Sequence, residues 1–154
     1  MITIRPIATV RNSRVEVEDD YWGGVLSEIV MEPDFGEESI RGLEAFSHVE
    51  VTFHFHLVDE KDVVTGARHP RNNPNWPLVG IFAQRAKKRP NRLGLAVARI
   101  VERKGAVLTV RDLDAVDGTP IVDLKPVMRE FLPSGDVRQP EWSTELMRDY
   151  WKNA

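Results

Sequence analysis

The clearest pattern along the chain is a strict alternation between residues 49 and 58. Val49, Val51, Phe53, Phe55 and Leu57 are apolar, and Glu50, Thr52, His54 and His56 between them are polar. A period of two predicts a strand from Val49 to Val58 with one face buried and the other polar. Shorter strand-like runs lie on either side. Ile2 to Arg11 reads as extended, with Pro6 suited to a sheet edge because it cannot donate to a ladder. Val25 to Met31, Val79 to Ala83 and Ile121 to Leu124 read as strands. Leu93 to Glu102 and Ala106 to Leu113 read as a hairpin closed at Arg103-Lys104-Gly105. Glu37 to Leu43 suits one short helix. Asp59 to Pro77, with Pro70, Pro74 and Pro77, is a long irregular segment of the kind that usually carries function or disorder. Near the C-terminus Trp142, Leu146, Met147, Tyr150 and Trp151 fall at helical spacing, which predicts a terminal helix docked on the body. Many short strands, few helices and regular turn signals predict an all-β fold, a closed or nearly closed antiparallel sheet.

The 154 residues fit one domain and one core. Charge and composition narrow the chemistry. There is no cysteine, which excludes disulfides, thiolate metal sites and a cysteine nucleophile. No apolar run is long enough for a transmembrane helix, and Met1 to Val10, with Arg5 and Pro6, lacks the pattern of a signal peptide. A cytoplasmic protein without a membrane partner is expected. The net charge is −3, so contact with a nucleic acid has to come from a local patch. Such a patch exists: five of the eight residues from Arg85 to Arg92 are cationic, namely Arg85, Lys87, Lys88, Arg89 and Arg92. These residues either neutralise phosphates or form a solvated loop. Arg68 and Arg71, with Trp76, offer phosphate pairing and base stacking, although Trp76 packing on the body is the simpler reading. His54 and His56 share one face of the expected strand, but no third ligand accompanies them, so no metal is expected and a polar pocket or subunit contact suits them better. Asp112, Asp114, Asp117 and Asp123 crowd a strand end and a turn. No dinucleotide-binding glycine motif, phosphate-binding loop or nucleophile elbow occurs.

Three strings in order are more specific than any of these features. They are Arg41-Gly42-Leu43-Glu44-Ala45-Phe46-Ser47-His48; Gly80-Ile81-Phe82-Ala83-Gln84-Arg85 with Arg89-Pro90-Asn91-Arg92-Leu93-Gly94-Leu95; and Leu113-Asp114-Ala115-Val116-Asp117-Gly118-Thr119-Pro120 with Asp123-Leu124-Lys125-Pro126. Their order and spacing resemble the TrmO, or YaeB/TsaA-like, family of tRNA-modifying enzymes, from about Ile7 to Pro126. The resemblance implies a TsaA/YaeB-like β-barrel over residues 1–130, with a tail and helix over 131–154 packed on the barrel or on a partner. It implies S-adenosylmethionine as cofactor, a homodimer with the cofactor pocket near the subunit contact, and N6-methylation of threonylcarbamoyl-adenosine beside the anticodon of tRNA. Carried over by motif, the cofactor pocket takes in His56, Leu57, Arg85, Leu95, Arg111, Asp112, Leu113 and Asp114, with Trp22 and Gly23 at a glycine-containing loop.

The chain departs from the family pattern in places. Asp19-Asp20-Tyr21-Trp22-Gly23 stands where a Pro-x-Gln-Pro-Gly stretch is usual, and the basic loop, the 72–77 segment and the tail from Val127 also differ. Methyl transfer from a sulfonium is an in-line displacement that needs alignment in a dry pocket. Asp112 or Asp114 is expected to bind ribose hydroxyls or the amino group, and Arg85 a carboxylate or phosphate. Asp117 is the candidate to orient the substrate N–H or take its proton. Arg68, Arg71, Lys87, Lys88, Arg89 and Arg92 are expected to hold the anticodon loop; DNA is not an expected partner. The alternatives are a methyltransferase with another acceptor and a non-catalytic cofactor- or RNA-binding regulatory module.

Overall fold

A computed structural model describes all 154 residues, Met1–Ala154. Eight strands form: β1 (Ala8–Arg11), β2 (Leu26–Met31), β3 (His48–His54), β4 (Ala67–Arg68), β5 (Val79–Gly80), β6 (Leu93–Lys104), β7 (Val107–Arg111) and β8 (Pro120–Pro126), followed by a short helix, α1 (Glu141–Leu146). Six of them close into a barrel in the order β1-β2-β7-β6-β3-β8, and β8 returns to β1. Every neighbouring pair is antiparallel. Register shifts at Thr52/Phe53 and Ile100/Glu102 bend the sheet where it must curve. β4 and β5 form a separate two-stranded sheet. No helix is long and apolar enough to cross a membrane.

The alternation in β3 does what its pattern predicts: Val49, Val51 and Phe53 are buried and the residues between them face outward. Opposite them on β6 stand Ala98, Ala96 and Gly94. Large residues on one strand thus meet small ones on the next, as a narrow barrel requires. The tightest case is Gly94. A Cβ there would lie 2.5 Å from Phe53 Cζ and 2.9 Å from Phe55 Cζ. Phe53 and Phe55 meet edge to face at 5.3 Å between centroids. Ala8, Val10, Ile29, Met31, Leu108, Val110, Leu113, Ala115 and Ile121 complete the core. Side chains therefore fill the barrel interior, and a ligand has to bind outside it.

Several element boundaries differ from the sequence expectation. β1 begins only at Ala8, so Pro6 precedes the sheet rather than lining an edge. β3 ends at His54, because Phe55 to Val58 turn away: the Val58 amide donates to the Phe55 carbonyl. Residues 79–83 make two strand residues and then a 3₁₀ turn, Ile81–Ala83. The β6–β7 hairpin turns at Gly105-Ala106, with Gly105 at φ +58°, a conformation that favours glycine. The expected helix over Glu37 to Leu43 is two 3₁₀ turns, Glu37–Ile40 and Leu43–Ala45. β8 runs from Pro120 rather than Ile121 and extends to Pro126. Tyr150 and Trp151 lie past the end of α1.

This packing predicts that Gly94→Ala destabilises the barrel by about 1–3 kcal/mol through overpacking. Phe53→Ala should cost about 3–5 kcal/mol through the cavity it leaves. The double variant should recover much of the Gly94→Ala loss, since the new methyl then fills vacated space. Equilibrium urea unfolding measures all three, and strictly additive effects would refute the Phe53–Gly94 account.

Candidate functional site

A cleft of about 2000 Å³ runs along the outside of the barrel. One wall is the outer face of β6, with Leu93, Leu95, Val97 and Arg99. Others are the turn after β3, the loops at 68–72 and 82–91, and the segment from Arg111 to Val116. The last wall comes from the C-terminal tail, with Trp142, Leu146, Met147 and Tyr150 among its lining residues.

At the end of β7 the chain turns through Asp112, a non-glycine residue at φ +65°. Its Oδ1 accepts the Gly24 amide at 2.7 Å, and its own amide donates to the Val25 carbonyl. Alternation then sends Leu113 and Ala115 into the core and turns Asp114 toward the cleft. Asp114 Oδ2 accepts a hydrogen bond from the Tyr150 hydroxyl. Asp114 Oδ1 is shut off from solvent and has no partner. Burial pushes the Asp114 carboxyl above the usual carboxylate range, against the Tyr150 hydrogen bond and the nearby Arg85 charge. The Tyr150 phenol is pushed up as well, by burial first and then by the Asp114 charge.

Arg85 stands across from this carboxylate, exposed, with one Nη donating to the Leu95 carbonyl. Beside it, Gln84 is buried: its Nε2 donates to the Arg68 and Val79 carbonyls at 3.0 Å each, and its Oε1 has no partner. A buried acceptor without a donor costs on the order of 1–3 kcal/mol unless something satisfies it. Two such acceptors near an arginine in one cleft suit a ligand with O–H or N–H donors and an anionic end.

The other expected cofactor residues are distributed as follows. His56, Leu57, Leu95, Arg111, Trp22 and Gly23 line the cleft. Leu113 does not, since its side chain is wholly in the core. Trp22 is buried under the Arg14 guanidinium, 3.9 Å from its ring centroid. His54 and His56 do not share a strand face, because His56 lies beyond the end of β3. Burial, then Arg92 and His56, pushes the His54 imidazole toward its neutral form. No group of three or more His, Asp or Glu side chains converges to hold a metal ion. Asp117 lies outside the cleft lining, and its Oδ1 accepts the Asn12 amide at 3.0 Å.

The cations split in the same way. Arg71 is turned inward onto Asp20, with contacts of 2.9 and 3.2 Å, and Lys87 stands 4.0 Å from Asp19. The acidic stretch before Trp22 thus faces the basic loops. Arg92 leaves the cleft to donate to the Val58 carbonyl at 2.7 Å, and Arg89 donates to the Gln84 carbonyl at 2.6 Å. Arg68, Lys88 and Arg89 line the cleft without an acidic partner. Trp76 packs on the tail, and its Nε1 donates to Glu145 at 2.8 Å. Sequence reasoning missed Gln84 as a buried acceptor and Tyr150 as a polar wall residue. The signal for Tyr150 was a hydroxyl among otherwise apolar tail positions.

Residues 17–131 match the family model described as the tRNA-methyltransferase O N-terminal domain. A probable S-adenosyl-L-methionine-binding protein of Pyrococcus abyssi is 36% identical over 145 residues, covering 90% of this chain and 73% of that protein. The tRNA (adenine(37)-N6)-methyltransferase of Escherichia coli is 39% identical over 102 residues, 62% of this chain and 43% of that enzyme. The human enzyme of the same name is 34% identical over 104 residues, and the chain spans only 23% of its length. Among solved structures, one described as TrmO superposes with a TM-score of 0.73 at 27% identity, over 90% of this chain and 63% of that one. TrmO from Pseudomonas aeruginosa gives 0.69 at 26%, over 90% and 61%.

The state of Asp114 has a measurable consequence. A carboxyl whose folded pKa is raised leaves the fold most stable below the unfolded pKa, and stability falls as pH rises toward the folded value. Asp114→Asn keeps an acceptor for Tyr150 and removes that loss. The variant should melt a few degrees above the parent at neutral pH, at about 2–4 °C per kcal/mol for a chain of this size. The gain should vanish below the usual carboxylate range. Scanning calorimetry across pH checks it, and an unchanged or lower Tm at neutral pH would contradict the assignment.

Proposed function

The chain belongs to the tRNA-methyltransferase O family, and from that membership and its cleft we propose that it is an S-adenosylmethionine-dependent methyltransferase acting on N6 of threonylcarbamoyl-adenosine beside the anticodon of tRNA. The observation that carries the reading is that Asp114, with its Oδ1 unpartnered, and Arg85 line one cleft within the segment that matches the family. The cofactor supplies a methyl group on a cationic sulfur. Its hydroxyl and amino donors suit Asp114 Oδ1 and Gln84 Oε1, and its carboxylate suits the guanidinium edge that Arg85 leaves free. His56, Leu57, Leu95, Arg111, Asp112, Trp22 and Gly23 line the same cleft and are its further candidate contacts. The backbone of Leu113 sets the direction of Asp114.

The chain's task in the transfer is alignment in a site sheltered from water. In this reading Asp117 holds the turn that presents Asp114, through the Asn12 amide, and the proton lost from the methylated nitrogen passes to water. Lys88, Arg89 and Arg68 are ready to meet RNA phosphates. Arg71 and Lys87 join only by exchanging Asp20 and Asp19 for phosphate, and Arg92 supports the loop from beneath. That internal neutralisation favours a second reading, a methyltransferase with a smaller or less charged acceptor.

A homodimer fits the same face. Leu95, Val97 and Val101 on the outer side of β6 are 48%, 52% and 48% exposed, and Phe82 nearby is 73% exposed. Leu95, Val97 and Phe82 line the cleft itself, with Arg99 between Val97 and Val101, and these exposed side chains suit a second copy of the chain with the cofactor pocket near the contact. Residues 1–130 then form the binding barrel and 131–154 its cover. The cytoplasm is the compartment that suits a tRNA acceptor.

Titration calorimetry with S-adenosylmethionine should give saturable binding, weakened about 10- to 100-fold by Asp114→Ala or Arg85→Ala. No binding at millimolar cofactor would end the proposal. Mass spectrometry of tRNA nucleosides from a deletion strain should then lack N6-methyl threonylcarbamoyl-adenosine, whereas an unchanged level selects the second reading.

A further inference from the structure

The last fifteen residues form a wall of the cleft although they lie beyond the residues that match the family domain. Backbone bonds fix them in place. The amides of Tyr21, Trp22 and Gly23 donate to the carbonyls of Asp149, Tyr150 and Lys152 at 3.1, 2.8 and 3.1 Å. The approach at Gly23 leaves no room for a side chain: a Cβ there would lie 2.1 Å from the Trp151 carbonyl oxygen. The segment is thus seated as a turn after α1, with one isolated parallel bridge between Gly23 and Asn153. The hydroxyl it delivers goes to Asp114 Oδ2.

We infer that Tyr150 is a positioning residue of the binding site: by holding Asp114 Oδ2 it fixes this side chain at the cleft wall and reserves the unpartnered Oδ1 as an acceptor for the cofactor's hydroxyl or amino donors. The inference rests on the cofactor reading above and adds a tail residue to that site. Without the phenol, Asp114 has two buried oxygens to satisfy and no fixed rotamer. The charged and titratable groups around it are Arg85 from the loop after β5, Tyr150 from the tail, and Asp112, whose carboxylate is committed to the Gly24 amide. Arg71, paired with Asp20, acts on Tyr150. Of these, Tyr150 is the one that both touches Asp114 and stabilises its ionised form by a direct bond.

The test uses the full chain and S-adenosylmethionine in titration calorimetry. Tyr150→Phe removes one hydroxyl and keeps the ring. It should weaken binding about tenfold. It should also move the acid limb of the binding profile to higher pH, because losing a donor makes Asp114 easier to protonate. A merely structural ring would not shift that limb. In an Asp114→Ala background the same substitution should change affinity little, since its effect passes through that side chain. Binding by the parent protein with an unchanged Kd and pH profile in Tyr150→Phe overturns this inference and leaves the cofactor reading standing. The same tenfold loss in the Asp114→Ala background also overturns it. No binding by the parent protein overturns both.

Discussion

The size of the barrel governs everything else. Six strands enclose a space that Phe53, Ile29, Leu108 and their neighbours fill, and the fit is close enough that Gly94 has no room for a methyl group beside Phe53. A ring this narrow has no lumen for a nucleoside. Chemistry is therefore displaced to the outer surface, where the strands supply only one wall. The others have to come from connections: the turn after β3, the loops around β4 and β5, the Arg111 to Val116 segment and the tail. The barrel's role is to hold the ends of those connections still.

The outer cleft carries a cost in stability. Asp114 sits one residue from core positions on both sides, so the alternation that buries Leu113 and Ala115 draws the carboxylate partly out of water with them. Tyr150 satisfies one oxygen and the other is left without a donor. A fold selected for stability alone has no reason to keep such an acid, and a binding site does. Arg71 and Lys87 reflect the opposite arrangement. Asp19 and Asp20 cover cations that an RNA backbone would otherwise find free, which makes charge exchange part of any nucleic-acid contact.

The chain announced its barrel through period-two alternation. β3 and β6 were legible because each has a core face against a solvent face, and the three motif strings pointed to the same fold. Short strands were harder. β4 and β5 have two residues each, too few to show a period, and Phe55 and Leu57 continue an apolar rhythm after the backbone has left the sheet. That over-extension put His54 and His56 on one face when they are not. Asp117 looked available because charge in a turn says nothing of which amide it caps. Arg71 looked free because its partner lies fifty-one residues away. The tail's helical spacing was real for only six residues, and Tyr150, which holds Asp114, lies past the helix in a turn that docks on Trp22 and Gly23.

The cofactor's proposed seat is a carboxylate held outside a filled barrel, between loops and tail. A crystal structure with S-adenosylmethionine tests it most directly. The nucleoside should lie in the outer cleft, with one of its hydroxyl or amino groups within hydrogen-bonding distance of Asp114 Oδ1 and Arg85 near its carboxylate. A cofactor bound on another face, or seated in the cleft with Asp114 Oδ1 still unpartnered, would contradict it.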